Sequence, residues 1–160
     1  MAPKRITRRL TTTEIHNILS KNEVTKPLYR GTFPHDLLPR YGLTTQQKPA
    51  IIVVNHGSSL TPGTHWSLVY FPKSSLLPAY YFDSFGKNVY PLWNLEAFIK
   101  RNSKTTGYTF NARKLQNERS SSCGQFVVVT AWLLARGVSP DRVQGYFTSP
   151  HNECFLRQII

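Results

Sequence analysis

Apolar side chains along the chain form short blocks whose spacing is helical in some blocks and strand-like in others. Residues 11–22 open with threonines and a glutamate and continue with apolar positions three and four apart. This predicts a capped, amphipathic first helix that ends near Asn22. Residues 24–49 are rich in proline and glycine and predict mostly loop. Residues 50–54 are apolar and β-branched, which predicts a buried strand.

Two more strands are predicted in the middle of the chain. Residues 65–71 and 79–83 are rich in aromatic and apolar side chains, and the segment between them begins and ends with proline, which favours a turn. Residues 92–101 have apolar positions at helical spacing, and residues 107–110 favour a further strand.

The longest apolar run extends from Cys123 to Leu134. Its valines would also suit a strand, but its length, the serines before it and Gly137 after it favour a buried helix that is apolar nearly all round. Ser139-Pro140-Asp141 can begin another helix, and the last residues favour a short one. The fold class predicted is α+β, with a small, mostly antiparallel sheet of about four or five strands packed on helices and a central buried helix starting at Cys123.

Length and composition predict a single domain at residues 11–160, preceded by a basic arm at residues 1–10. The chain has 160 residues, of which 40% are hydrophobic, enough for one compact core. No stretch is apolar enough to cross a bilayer and the start lacks a signal-peptide pattern, so we expect a soluble protein in a reducing compartment. Two cysteines are too few for a disulfide scaffold or a cysteine-rich zinc site, so we expect no metal and no small-molecule cofactor.

The charge adds a candidate partner. Lysine and arginine number 20 against 8 acidic residues, which gives a net charge of +12 and favours nucleic acid as a partner. Four basic residues of the arm are the candidate nucleic-acid contacts: Lys4, Arg5, Arg8 and Arg9. A solvated, disordered terminus is an equally good interpretation of the arm taken alone.

Cys123 is the candidate nucleophile. At the first turn of a helix, a thiol lies beside unpaired backbone N–H groups and the positive end of the helix dipole, and both favour the reactive thiolate. Gly124 leaves room for a substrate carbonyl to approach the backbone. Taken alone, however, a cysteine in an apolar run is more often a small buried side chain.

A thiol nucleophile also needs a base and a group that orients the base. His65 opens a predicted strand and is followed by Trp66, which could line a substrate groove or belong to the core. We assign His56, at a strand end near a turn, a surface role. Asp83 ends an apolar strand, where a charge needs a partner such as His65, although it could simply form a turn. The competing carboxylates are Glu96 and Glu118.

Gln116 is the candidate oxyanion donor. It precedes Cys123 by seven residues, and a loop of that length can return its side-chain amide to the nucleophile. The backbone N–H of Cys123 would complete the oxyanion hole. Asn117 is the rival donor, and the segment would also suit an ordinary polar loop.

In combination and order these residues resemble the adenovirus-type cysteine endopeptidase (adenain) family, in the wider group containing the SUMO-specific proteases. The resemblance covers roughly residues 11–136. It rests on the following motifs: the helix at 13–22, Gly31-Thr32-Phe33, Ile52-Val53-Val54-Asn55, Gly63-Thr64-His65-Trp66, Phe82-Asp83-Ser84-Phe85-Gly86, and Gln116 before Cys123-Gly124.

The resemblance implies that His65 is the general base, Asp83 stands where Glu is more usual, Gln116 serves the oxyanion hole and Cys123 attacks. It also implies a monomeric viral protease, in the host nucleus and the virion, that cleaves virion precursor proteins with DNA as activator. Two alternatives stay open. One is a SUMO or ubiquitin-like deconjugating protease, and the other is an inactive, basic DNA-binding structural protein.

Two features depart from the family. Adenoviral members are activated by a peptide that forms a disulfide with a cysteine upstream of the Gln. Residues 105–115 contain no cysteine, so we do not expect an activating peptide to act by that route. Cys154 lies away from the expected family position, and we expect it to be buried, with a disulfide to a partner as the alternative.

Overall fold

A computed structural model describes residues 8–40, 42–57, 65–89, 92–103, 105, 107–117 and 120–147. Within these ranges the chain forms four α-helices and five strands. Their order is α1 (Thr12–Lys21), β1 (Tyr29–Pro34), β2 (Ala50–Asn55), β3 (Trp66–Phe71), β4 (Ala79–Phe82), α2 (Trp93–Asn102), β5 (Tyr108–Phe110), α3 (Cys123–Ala135) and α4 (Pro140–Val143). The short helix predicted for the last residues, and Cys154, lie outside the described ranges.

The five strands form one sheet in the order β1-β2-β3-β4-β5. The central pairs β2–β3 and β3–β4 are antiparallel, whereas the edge pairs β1–β2 and β4–β5 are parallel. The α+β class is confirmed, but the sheet is mixed rather than mostly antiparallel. The reason at one edge is α2, because a crossover helix between β4 and β5 returns the chain in its original direction.

Both faces of the sheet are covered. Along β2, Ile51 and Val53 point into one core with α1, α3 and α4, while Ile52 and Val54 point into a second core with α2. This two-sided burial explains why the strand is apolar without alternation. The helix α3 is buried along nearly its whole length, as its composition predicted.

Strand β1 lies inside the stretch that the sequence predicted as mostly loop. Only its first residue is buried, so it has no apolar alternation by which to recognise it. The N-terminus of α1 was predicted correctly: Thr11 caps it, and Thr11 and Glu14 form a reciprocal capping box. No helix in the described part of the chain is long and apolar enough to span a membrane.

Candidate active site

Antiparallel pairing of β3 and β4 brings His65 and Asp83 to the same edge of the sheet. His65 directly precedes β3 and Asp83 directly follows β4, and the register pairs Leu68 with Phe82. His65 Nε2 and Asp83 Oδ1 are 3.0 Å apart and form a hydrogen-bonded ion pair. The predicted pairing of base and carboxylate is therefore present in the fold.

Asp83 is almost completely buried, with 2% of its surface exposed. Its carboxylate accepts a second hydrogen bond, from the backbone N–H of Phe85 at 2.8 Å. Its own backbone is held by Asn111, whose Oδ1 accepts from the Asp83 N–H at 2.9 Å and whose Nδ2 donates to the Asp83 carbonyl at 2.6 Å. Asn111 thus fixes the loop that carries the carboxylate, a role for which the sequence offered no signal.

We expect Asn111→Leu to destabilise the protein by about 2–4 kcal/mol, because it leaves a buried N–H and a buried carbonyl without their partner. Urea unfolding of the variant measures this loss. Asn17→Leu is the matched control, since Asn17 lies exposed on α1. Equal stability of the two variants would contradict the role given to Asn111.

The His65 imidazole is the electrostatic centre of the site. Burial alone would lower its pKa, but hydrogen bonds to Asp83 and Cys123, together with the charges of both, raise the pKa of His65 to about 9. The imidazolium form of His65 is therefore favoured at neutral pH.

Two aromatic rings hold His65 in place. Phe85 stacks on it at 5.0 Å between ring centroids, and His56 meets it edge-on at 4.7 Å. The His56 Nε2 lies 2.8 Å from Ser67 Oγ and 3.3 Å from Tyr81 Oη, both within hydrogen-bonding distance. Burial and the neighbouring charge of His65 lower the pKa of His56 to about 4, so its ring is neutral at pH 7.

The surface role assigned to His56 is therefore wrong. The register of β2 and β3 pairs Asn55 with Trp66, and the next backbone bond runs from the His56 N–H to the His65 carbonyl at 2.9 Å. This pairing, which the sequence does not specify, sets the two histidines side by side. With Asp83 they bring three potential metal-ligand atoms within 4.8 Å of one another.

Cys123 occupies the first position of α3, as predicted. Ser122 is the N-cap residue, and the first helical hydrogen bond runs from the Phe126 N–H to the Ser122 carbonyl. The backbone N–H of Cys123 therefore belongs to the first turn, where helical N–H groups have no partner within the helix. The side chain of Cys123 is buried and lies close enough to His65 to contribute to the raised pKa of that imidazole.

Gln116 is buried against the turn that follows Asp83. Its backbone N–H donates to the Ser84 carbonyl at 2.9 Å, and its Oε1 accepts from the Ser84 hydroxyl. Its Nε2 donates to the Ser120 carbonyl at 3.0 Å, in the segment that leads into Cys123. The amide is thus oriented towards the start of α3, although its role as an oxyanion donor stays a prediction.

The turn itself depends on Gly86. Its φ is +72°, and a side chain there would place Cβ 2.7 Å from the Arg113 backbone. Only glycine combines this left-handed conformation with so close an approach. The contact joins the loop of Asp83 to the loop of Gln116.

Trp66 and Gly124, the two predicted substrate-binding residues, both lie against Leu10 of the N-terminal segment. Trp66 is 1% exposed, and its Nε1 donates to the Leu10 carbonyl at 3.2 Å, so it belongs to the core, which was the alternative. A Cβ on Gly124 would lie 3.0 Å from the Leu10 Cβ. Glycine there makes room for the N-terminal segment, and its contact with a substrate stays a prediction.

The described end of the basic arm packs beside α3. The Arg8 guanidinium donates two hydrogen bonds to Glu14, at 2.7 and 3.1 Å, and Gln125 Nε2 donates to the Arg8 carbonyl. Lys4 and Arg5 lie outside the described residues. Nucleic-acid binding by the arm, including Arg8 and Arg9, stays a prediction.

Comparison with known proteins finds similar solved structures. No protein-family model and no curated protein matches the chain. The crystal structure of ASFV pS273R protease matches with a TM-score of 0.70 and 14% identity, over 98% of this chain and 68% of that chain. Its selenomethionine form matches with a TM-score of 0.69 and 16% identity, over 98% of this chain and 69% of that chain.

The chain has the SUMO-protease-like fold. The resemblance to that wider group is thereby confirmed at the level of the fold. At the edge formed by β3, β4 and the start of α3, the imidazole of His65 is hydrogen bonded to the Asp83 carboxylate and has the Cys123 thiol as a neighbour. This arrangement is chemically competent for nucleophilic attack on a carbonyl carbon.

Proposed function

We propose that the chain is a cysteine endopeptidase of the viral type, which cleaves virion precursor proteins. The observation that carries the proposal is the position of His65, which is hydrogen bonded to the buried Asp83 and has Cys123 as a neighbour. A nucleophile, a base and a group that orients the base are the minimum for acyl transfer by a thiol.

In the proposed reaction the Cys123 thiolate attacks the carbonyl carbon of the scissile peptide bond. The His65 imidazolium then gives its proton to the leaving amine, and a thioester to Cys123 remains. His65, now neutral, takes a proton from water as the water attacks the thioester. The acid product leaves, and the thiolate and imidazolium are restored. Asp83 stays ionised throughout and stabilises the imidazolium.

The tetrahedral intermediate needs donors for its oxyanion. We assign this role to the backbone N–H of Cys123 and to the Gln116 amide. Ser84 holds the amide oxygen of Gln116, so the amide nitrogen is turned towards the segment before Cys123. Donors that are fixed before the reaction do not have to reorganise while charge develops.

The raised pKa of His65 predicts the alkaline limit of activity. Because the leaving amine takes its proton from the imidazolium, kcat/KM should fall about tenfold per pH unit above a pKa of about 9. Initial rates on a fluorogenic peptide across the alkaline range measure this limit, with circular dichroism as the control for unfolding. A limit near the ordinary histidine pKa would contradict the pairing with Asp83 and Cys123.

Two alternatives predict different reactivity. A deconjugating protease would label Cys123 with ubiquitin-like suicide probes, and an inactive structural protein would react with no substrate-like probe. We expect a peptide-based thiol-reactive probe to label Cys123 at neutral pH and modifier-based probes to leave it unlabelled. Mass mapping of the modified cysteine distinguishes the three functions.

We further propose that DNA is an activator, supported by the net charge of +12. If two or more phosphates are neutralised, DNA affinity should fall at least about tenfold between 50 and 200 mM salt. Fluorescence anisotropy with labelled DNA measures the affinity, and peptide hydrolysis measures the activation. The double variant Lys4→Ala/Arg5→Ala tests the arm without touching the Arg8–Glu14 pair, and salt-independent binding would exclude an electrostatic interaction.

A further inference from the structure

We propose that His56, His65 and Asp83 form an inhibitory binding site for a zinc-type divalent cation. The inhibitory part rests on the proposed function, because the same His65 serves as the catalytic base. Hydrolysis as described above gives His56 no chemical step, yet the fold places its imidazole directly beside the base.

The geometry suits a small cation. Zinc binds histidine nitrogen and carboxylate oxygen at about 2.0–2.2 Å, which sets tetrahedral ligand atoms about 3.3 Å apart. The His65 Nε2 and Asp83 Oδ1 already lie 3.0 Å apart. All three ligand atoms lie within 4.8 Å of one another, so His56 has to approach by at most about 1.5 Å.

The chemistry of the three donors also suits zinc. Two imidazoles and one carboxylate form a ligand set that leaves a fourth position for water. The supporting contacts are those that orient metal ligands elsewhere: Ser67 and Tyr81 lie at the His56 ring, and the Phe85 N–H donates to the Asp83 carboxylate. Two of the three ligands, His56 and Asp83, are therefore held by neighbours that do not themselves bind the ion.

Binding of the cation would prevent His65 from acting as a base. The cation takes the lone pair at one ring nitrogen of His65 and replaces the proton that this ring shares with Asp83. With the carboxylate bound to the ion, an additional proton on His65 would face a divalent cation, and the thiolate–imidazolium pair could not form. Inhibition should be reversible, because no covalent bond is made, and a chelator should restore activity.

The test separates the ion site from catalysis by using Cys123→Ala protein. Isothermal titration with zinc chloride should show one ion bound per chain, and adding His56→Phe should weaken the affinity at least tenfold. Phenylalanine keeps an aromatic ring against His65 but offers no ligand atom. The matched control is His16→Phe on α1, which should bind zinc as tightly as the Cys123→Ala parent.

With Cys123 present, zinc should inhibit peptide hydrolysis. The inhibition constant of His56→Phe should be at least tenfold higher than that of the unsubstituted chain, with each rate normalised to the zinc-free rate of the same protein. If Cys123→Ala protein binds no zinc, or if His56→Phe and His16→Phe bind it equally, the site is overturned. Zinc binding to Cys123→Ala protein without inhibition of the active chain would overturn the inhibitory role.

The two proposals fail separately. Zinc binding that depends on His56, in a chain that cleaves no peptide, would support the site and refute the peptidase. Thermal melts establish that each variant is folded, and His56→Gln, which keeps a hydrogen-bonding group beside Ser67, takes the place of His56→Phe if that variant unfolds.

Discussion

Cys123→Ala should abolish peptide hydrolysis, lowering kcat by at least about 10⁴-fold. The substitution removes the sulfur that forms the thioester in the proposed reaction. The fold should persist, because alanine fills most of the same buried space at the start of α3. Active-site titration, together with rates on a fluorogenic peptide and on a protein substrate, measures the loss.

The matched control for this variant is Cys154→Ala, which replaces the other cysteine of the chain. It should retain activity within about twofold, since the proposed mechanism gives this thiol no step. Measurable turnover by Cys123→Ala protein would refute the peptidase mechanism, provided that the protein is free of contaminating protease.

Asp83→Ala should lower kcat by about 10²–10⁴-fold. Burial of His65 favours the neutral ring and so lowers its pKa. The hydrogen bond to Asp83 is the first of the interactions that oppose burial and raise the pKa. Without the carboxylate, the imidazolium loses an anionic partner and the ring loses its orientation. The alkaline limit of kcat/KM should also move to lower pH, an effect that loss of stability alone would not produce.

Two variants control for this effect. Asp83→Glu keeps the charge and should retain more activity than Asp83→Ala. Glu96→Ala removes one of the two rival carboxylates of the sequence, which pairs with Lys100 and Tyr108, and should leave kcat within about twofold. Equal losses in Asp83→Ala and Glu96→Ala would argue against a specific role for Asp83.

The elements that were predicted well are those whose signals are local. The capping box at Thr11 and the apolar run from Cys123 are written in consecutive residues, so α1 and α3 could be located to within about one residue. Strand β1 was missed because its residues are only partly buried and it is recognisable only by its parallel pairing with β2.

The sequence by itself determined the types of residue at the site and their order along the chain: a histidine before one strand, an aspartate after the next, and a cysteine at the start of an apolar helix. Tertiary structure alone decided which neighbours surround them. Strand register set His56 beside His65, Asn111 reached Asp83 from the end of the neighbouring strand β5, and Leu10 covered Gly124. The physical reason is that caps and periodicity act between residues a few positions apart, whereas these contacts depend on register and packing between distant segments.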